Sequence, residues 1–270
     1  MTMAHFQSFW LDSAIPHNQR LCMTSFIDHG HAFDLYSYGT PAVPAGVRLL
    51  DAAEILPRNE VFFYRRGASV GSVAGFANMF RYRLLMLRGG WWVDTDVVCL
   101  SPQVPDDALF LEREDDTTIG NAVMKFPQGH AFVGALYEAS RAAGQDIAFG
   151  QTGPALITKL AQQQGMWDRA GAPSSAYPVH YDDAFLPVTV SGREATRERT
   201  RSAAFLHLWN EVFRRAGSMA LHNPPNRSFL ADLYRKHRVH RRFWSVIDRH
   251  KVLTIRHAVR VRLRDAVGGR

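Results

Sequence analysis

The chain has 270 residues, 46% of them apolar and 21% charged, an ordinary globular composition long enough to bury a core without covalent staples. Two cysteines, Cys22 and Cys99, exclude a disulfide framework, and no apolar run approaches the roughly 18 residues needed to cross a bilayer. The net charge of +7 sits at the end: residues 235–270 carry a net +10 and residues 1–234 a net −3, so nucleic acid is not expected as a substrate of the mildly acidic body.

Residues 6–10 read as a strand, 18–26 as a helix, and 33–38 as a half-buried strand of period two. Pro41, Pro44 and Gly46 mark a loop; 47–50 and 61–64 are short strand candidates, with a helical turn at 52–56 between them. Residues 72–88 carry the clearest helical pattern. Val73, Phe76, Phe80, Leu84 and Leu87 form one apolar stripe, and Asn78, Arg81, Tyr82 and Leu85 occupy an adjacent face. Gly89 and Gly90 end this helix, and Trp91-Trp92-Val93 leads as a buried strand into Asp94-Thr95-Asp96. Segments 108–111 and 122–126 read as strands and 130–143 as a helix. Gln151-Thr152-Gly153-Pro154 opens another helix, and 203–209 is a last strand or turn. This alternation predicts an α/β fold. The start of the chain lacks the charged and apolar pattern of a secretory signal, so a cytoplasmic location is expected.

Two aspartates one residue apart, directly after an apolar strand, repel each other unless a cation lies between them. The ordinary reading of such a tripeptide is a solvated turn. Its place behind Trp-Trp-Val and a long amphipathic helix fits that reading poorly. Carboxyl edges of strands in α/β sheets collect ligands, and hard divalent ions bind carboxylate and phosphate oxygens together. A phosphatase of the haloacid-dehalogenase type is a second reading, with Asp94 as nucleophile and Asp96 as general acid. Asp115-Asp116 and Asp182-Asp183 would imitate its metal site, but no lysine motif accompanies them and about ninety residues precede the motif. A third reading is a non-catalytic protein bound at a membrane surface.

Residues 76–85 together with Gly89-Gly90-Trp91-Trp92-Val93-Asp94-Thr95-Asp96 resemble the signature of glycosyltransferase family 32, the DXD sugar-transferase family that includes capsular-polysaccharide and α-1,4-glycosyltransferases. Supporting pieces follow in family order: Ser8-Phe9-Trp10, Ile119-Gly120-Asn121-Ala122-Val123-Met124, Thr152-Gly153-Pro154 and His207-Leu208-Trp209-Asn210. The resemblance spans roughly residues 5–215. It implies a GT-A-type nucleotide-sugar-binding fold with a mixed central sheet over residues 1–226. It further implies a UDP- or GDP-sugar donor, Mn2+ or Mg2+, and hexose transfer with retention to a saccharide or glycolipid.

The same resemblance implies roles. Asp94 faces the ribose and donor sugar with Thr95 beside it, Asp96 is the direct metal ligand, and His207 is the third. Trp10 lies against the nucleobase, unless it is a core tryptophan. Arg81 reaches the sugar or phosphate, unless it lies on a solvated helix face. Trp209 and Asn210 close over the diphosphate, while Asn121, Gln151, Thr152, Gly153 and Pro154 line the donor-sugar and acceptor side. Many relatives carry Ser-Asp where this chain has Ala77-Asn78; Asn78 still bonds hydroxyls but adds no charge. Glu112 and Glu114 are the carboxylates available as a nucleophile, and nothing in the sequence singles out either.

Residues 227–270 are read as a basic helical C-terminal extension. Its cations mix with Phe243, Trp244, Ile247 and Leu253, a composition suited to peripheral contact with the inner face of an anionic membrane. A helix pair packed on the catalytic domain is the competing reading.

Overall fold

A computed structural model describes residues 3–67 and 69–239. Strand β1 (His5–Phe9) runs into helix α1 (His17–Asp28), which returns the chain to β2 (Ala32–Ser37) and β3 (Val47–Asp51). Helix α2 (Ala74–Arg88) then leads into β4 (Gly90–Val93) and β5 (Val97–Cys99). After these come β6 (Val123–Phe126), α3 (Ala131–Ala142), α4 (Pro154–Gln163), α5 (Arg193–Arg199), β7 (Phe205–His207), α6 (Asn210–Arg215) and α7 (Phe229–Lys236).

The fold is mixed α/β. Five strands form a central sheet in the order β3-β2-β1-β4-β6; the first four are parallel and β6 runs antiparallel to β4. Strands β5 and β7 make a separate antiparallel pair. The mixed central sheet expected from the sequence is therefore present.

Side chains alternate across the sheet, so each face carries its own core. Trp91 joins Phe6, Phe26, Phe33 and Phe205 on one face; Trp92 joins Phe9, Tyr36, Phe80 and Met124 on the other, beneath α2 and α3. Covering both faces explains a correction. Segment 33–38 was expected to be half-buried, yet every residue of β2 after Ala32 is buried.

Two strand expectations give way. Residues 61–64 lie outside the sheet: Phe62 and Tyr64 bury their rings beside Phe76, and the Tyr64 amide and carbonyl bond Ser72 and Gly71 of their own loop. Residues 108–111 contribute only the isolated bridge Phe110↔Lys125. Helix α2 ends where predicted, and for a steric reason. Gly89 has φ +63, and a Cβ there would lie 2.4 Å from the Gln128 amide nitrogen.

Helix α7, inside the segment read as an extension, buries Leu230, Leu233 and Tyr234 in the cluster that holds Phe185 and Phe213, and the Tyr234 hydroxyl donates to Leu221 O at 3.0 Å. Residues 240–270, which carry most of the basic charge, lie outside the described residues. Among the described residues no helix is long and apolar enough to cross a membrane.

Candidate active site

The Asp94-Thr95-Asp96 segment is the joint between the two sheets. The Asp94 amide donates to Ala122 O at 2.8 Å, tying the segment to the chain just before β6. A tight turn follows, with the Val97 amide on Asp94 O at 3.1 Å. Pairing of β5 with β7 puts Val97 opposite His207, and the Leu208 amide reaches Asp96 O at 2.9 Å. Residues more than a hundred positions apart are thus set side by side by register alone.

The result is a convergent group. One ligand atom each from Asp94, Asp96 and His207 lies within 4.8 Å of the others. Asp94 Oδ1 accepts from Arg81 Nη2 at 2.6 Å and from Trp92 Nε1 at 2.7 Å. Asp96 Oδ2 accepts from the Asn210 amide at 2.8 Å and faces His207 Nε2 at 3.4 Å. The other His207 nitrogen, Nδ1, is buried and unpartnered among the described residues.

Environment separates the two carboxyls. Burial pushes Asp94 above the usual carboxylate range; the Arg81 charge opposes this, while Asp96 adds to it. Burial acts on Asp96 the same way, but the His207 charge and hydrogen bond and the Asn210 amide outweigh it and hold Asp96 low. For His207, burial works downward and is overcome by Asp96 and Asp94, so its value is raised. The donor set, two carboxylates and one imidazole, could hold a divalent metal ion.

Beside this group lies a second polar network. Arg81 is 4% exposed, and its Nη1 donates to Asn121 O at 2.5 Å, so it does not occupy a solvated helix face. Asn121 Nδ2 donates to Asn78 Oδ1 at 3.0 Å, and Tyr82 Oη donates to Thr152 O at 3.0 Å. Gly153 closes the network: a Cβ there would stand 3.0 Å from Asn78 Nδ2 and 3.2 Å from Asn121 Nδ2. Of the Gln151–Pro154 turn, Thr152 and Gly153 support the network from behind and Pro154 reaches the cleft, whereas Gln151 Oε1 accepts from the Ala148 amide in its own loop.

A cleft of about 510 Å³ opens over these residues. Trp10, Asn78, Arg81, Asp94, Thr95, Asp96, Asn121, His207, Trp209 and Asn210 all line it. Trp10 is half-buried against the core and donates its indole N–H to Ala14 O at 3.1 Å. Trp209 adopts φ 54, ψ 49, a conformation bulky residues rarely enter. Its indole bond to Val179 O at 2.8 Å and its contact with His207, 4.0 Å between ring centroids, hold it there, and the turn aims the Asn210 amide at Asp96.

The acidic pairs do not join the group. Asp115 faces His180 at 3.5 Å and Asp183 faces Arg199 at 2.8 Å. Sequence reasoning passed over Tyr181, Phe149, Glu211 and Arg215 on the cleft wall, and it did not choose between Glu112 and Glu114. The Glu112 carboxylate accepts the Ser175 and Ala176 amides at 2.9 and 2.5 Å, a structural tether. Glu114 instead lines the cleft, and burial pushes its carboxyl up to about 7.

No protein-family profile matches this sequence, and no curated protein matches it. Among solved structures, the chain is similar to one titled PaToxG Glycosyltransferase, with 9% identity over 85% of each chain and a TM-score of 0.44. It is also similar to the apo-form glycosyltransferase GlyE of Streptococcus pneumoniae TIGR4, with 10% identity, 77% of this chain and 55% of that chain covered, and a TM-score of 0.41. The chain thus spans about half the length of the second structure.

Proposed function

We propose that this protein is a metal-dependent glycosyltransferase of the GT-A type, resembling family 32, that moves a hexose from a UDP- or GDP-sugar to a saccharide or glycolipid hydroxyl with retention. The observation that carries the reading is the convergence of Asp94, Asp96 and His207 on the floor of a cleft at the carboxyl end of β4. Asp96, Asp94 and His207 would hold Mn2+ or Mg2+. Such an ion, when bound, neutralises charge on a departing diphosphate.

The chain's own residues supply orientation. Arg81 spends its two terminal nitrogens on Asp94 and Asn121, so it fixes the carboxylate that faces the donor. Asn78 and Asn121 offer amide groups to sugar hydroxyls from a rigid, mutually bonded pair. Trp10 provides an aromatic face for the base, and Trp209 with Asn210 borders the position of the diphosphate. In the reaction the bond from the anomeric carbon to the phosphate oxygen breaks, its electron pair leaving with the diphosphate. The bond to the acceptor oxygen forms, and the hydroxyl proton passes to the departing diphosphate on the same face.

The phosphatase reading needs further carboxylates beside Asp94 and Asp96, whereas Asp115 faces His180, Asp183 faces Arg199, and neither joins the group. Incubation with UDP-, GDP- and CMP-sugars in Mn2+ tests the proposal: metal-dependent binding and slow release of free sugar support it. Hydrolysis of simple phosphomonoesters through a phosphorylated Asp94 would favour the phosphatase. Peripheral membrane contact through residues 227–270 is a separate proposal. Sedimentation with anionic and neutral vesicles tests it, and no difference on deleting 240–270 rejects it.

A further inference from the structure

Glu114 is a buried carboxylate on the cleft wall that no hydrogen bond engages among the described residues. The chain reaches it along the edge beside β6: Phe110 bridges Lys125, Arg113 bridges Ile119, and the Glu114 amide donates to Thr118 O at 2.8 Å as the segment turns. That turn places Glu114 on the wall shared with Tyr181 and His207, facing the floor formed by Asp94 and Asp96. Its side chain is nine-tenths buried, and among the described residues neither a hydrogen bond nor an ion pair reaches its carboxylate.

A nearly buried carboxylate that opens onto a cleft and meets no protein donor is poorly solvated, and a ligand filling the cleft would complete it. Two residues earlier the same segment shows the contrast: Glu112 is also buried, and both its oxygens accept from backbone amides. On the opposite wall Asn78 bonds Asn121, and Arg81 bonds Asp94 and Asn121. A hydrogen-bond donor entering the cleft would supply the missing partner of Glu114.

We propose that Glu114 binds the incoming hydroxyl, accepting its O–H hydrogen bond and holding its oxygen toward the anomeric carbon of the donor. This rests on the glycosyltransferase reading and assigns the acceptor subsite within it to the wall of Glu114 and Tyr181. The hydroxyl carries one proton, directed at Glu114 in the bound complex; as the new bond to the anomeric carbon forms it turns to the departing phosphate oxygen, so Glu114 positions the oxygen and retains no proton. Water, the simplest hydroxyl, occupies the same place during slow donor hydrolysis.

The experiment uses the full chain with Mn2+ and whichever UDP-, GDP- or CMP-sugar the wild type binds. Glu114→Gln and Glu114→Leu are compared with Glu112→Gln for donor Kd, hydrolysis kcat and Tm. The assignment expects a donor Kd within about twofold of wild type in both Glu114 variants. It expects hydrolysis to fall on the order of 100-fold in Glu114→Leu, the scale of a lost positioning contact, with Tm not lowered. Glu112→Gln lowers Tm, because it loosens the tether to Ser175 and Ala176. Unchanged hydrolysis in both Glu114 variants, or a donor Kd that weakens in step with the rate, overturns the assignment alone. A wild type that binds donor and releases no sugar counts against it too, since a site that holds a hydroxyl holds water. A wild type that binds no nucleotide-sugar overturns the transferase reading and this assignment with it.

Discussion

The Arg81 guanidinium donates to Asp94 Oδ1 at 2.6 Å from a position only 4% exposed, while its other terminal nitrogen holds Asn121 O. Helix α2 thereby sets the rotamer of the first aspartate and the backbone of the segment that leads into β6. Removing the cation leaves a carboxylate without its charge partner. Arg81→Met is expected to cost about 3 kcal/mol, the lower end for breaking a buried pair because Asp94 is a quarter exposed. Urea denaturation measures this, and a change below about 1 kcal/mol would mean the pair is not structural.

Asn78 stands at the hinge of the amide network, bonded to Asn121 and beside Thr152 and Gly153. Asn78→Ala should weaken binding of the nucleotide-sugar by roughly tenfold, one net hydrogen bond's worth, and leave binding of the free nucleotide unchanged. Calorimetry with UDP against the UDP-sugar reads the difference. Equal weakening of both ligands would place Asn78 on the nucleotide instead.

Metal affinity should rise with pH. Asp96 and Asp94 hold His207 above its ordinary value, and an imidazole must lose its proton to become a ligand. Across the range where His207 is protonated, Mn2+ affinity is expected to climb by up to about tenfold per pH unit with release of one proton. The same pair sets a stability window in EDTA. The His207 contribution is fully present below its unfolded value near 6.5 and fades as pH rises through the higher folded value. Thermal melts of wild type and His207→Gln between pH 6 and 9 should converge toward the alkaline end.

Glu114 adds a slope of the same sign at lower pH. Its folded value of about 7 lies above its ordinary 4.5, so between those values the native state binds more protons than the unfolded chain and stability falls as pH rises. In EDTA, Glu114→Gln should lack this slope and melt a few degrees above wild type at pH 8, with the gap closing toward pH 4.5. A variant that melts lower than wild type at pH 8 would show that the carboxylate has a stabilising partner.

The parts of this arrangement legible in the sequence are those fixed by local pattern. The stripe of Phe76, Phe80 and Leu84, the Gly89-Gly90 stop and the apolar run into Asp94 give helix α2 and strand β4 directly. Asn121, Trp209 and Asn210 were found through motif order, not through any local signal. Register was not legible: nothing in residues 205–207 announces that β7 pairs with β5, which is what brings His207 to Asp96. The choice between Glu112 and Glu114 was equally hidden: two residues apart on an extended segment they share a face, and only the amides of Ser175 and Ala176, which bond Glu112, separate them. The strand expected at 61–64 failed for the same kind of reason, since its alternation is satisfied by Phe76 on α2 and not by a neighbouring strand.

The central claim is that Asp94, Asp96 and His207 hold a divalent ion that in turn receives a nucleotide-sugar. Isothermal titration of UDP- and GDP-sugars into the protein in Mn2+, in EDTA, and with Asp96→Ala tests it most directly. The account predicts binding in Mn2+ that disappears in both other arms. Donor binding of equal strength in EDTA and in Asp96→Ala would contradict it.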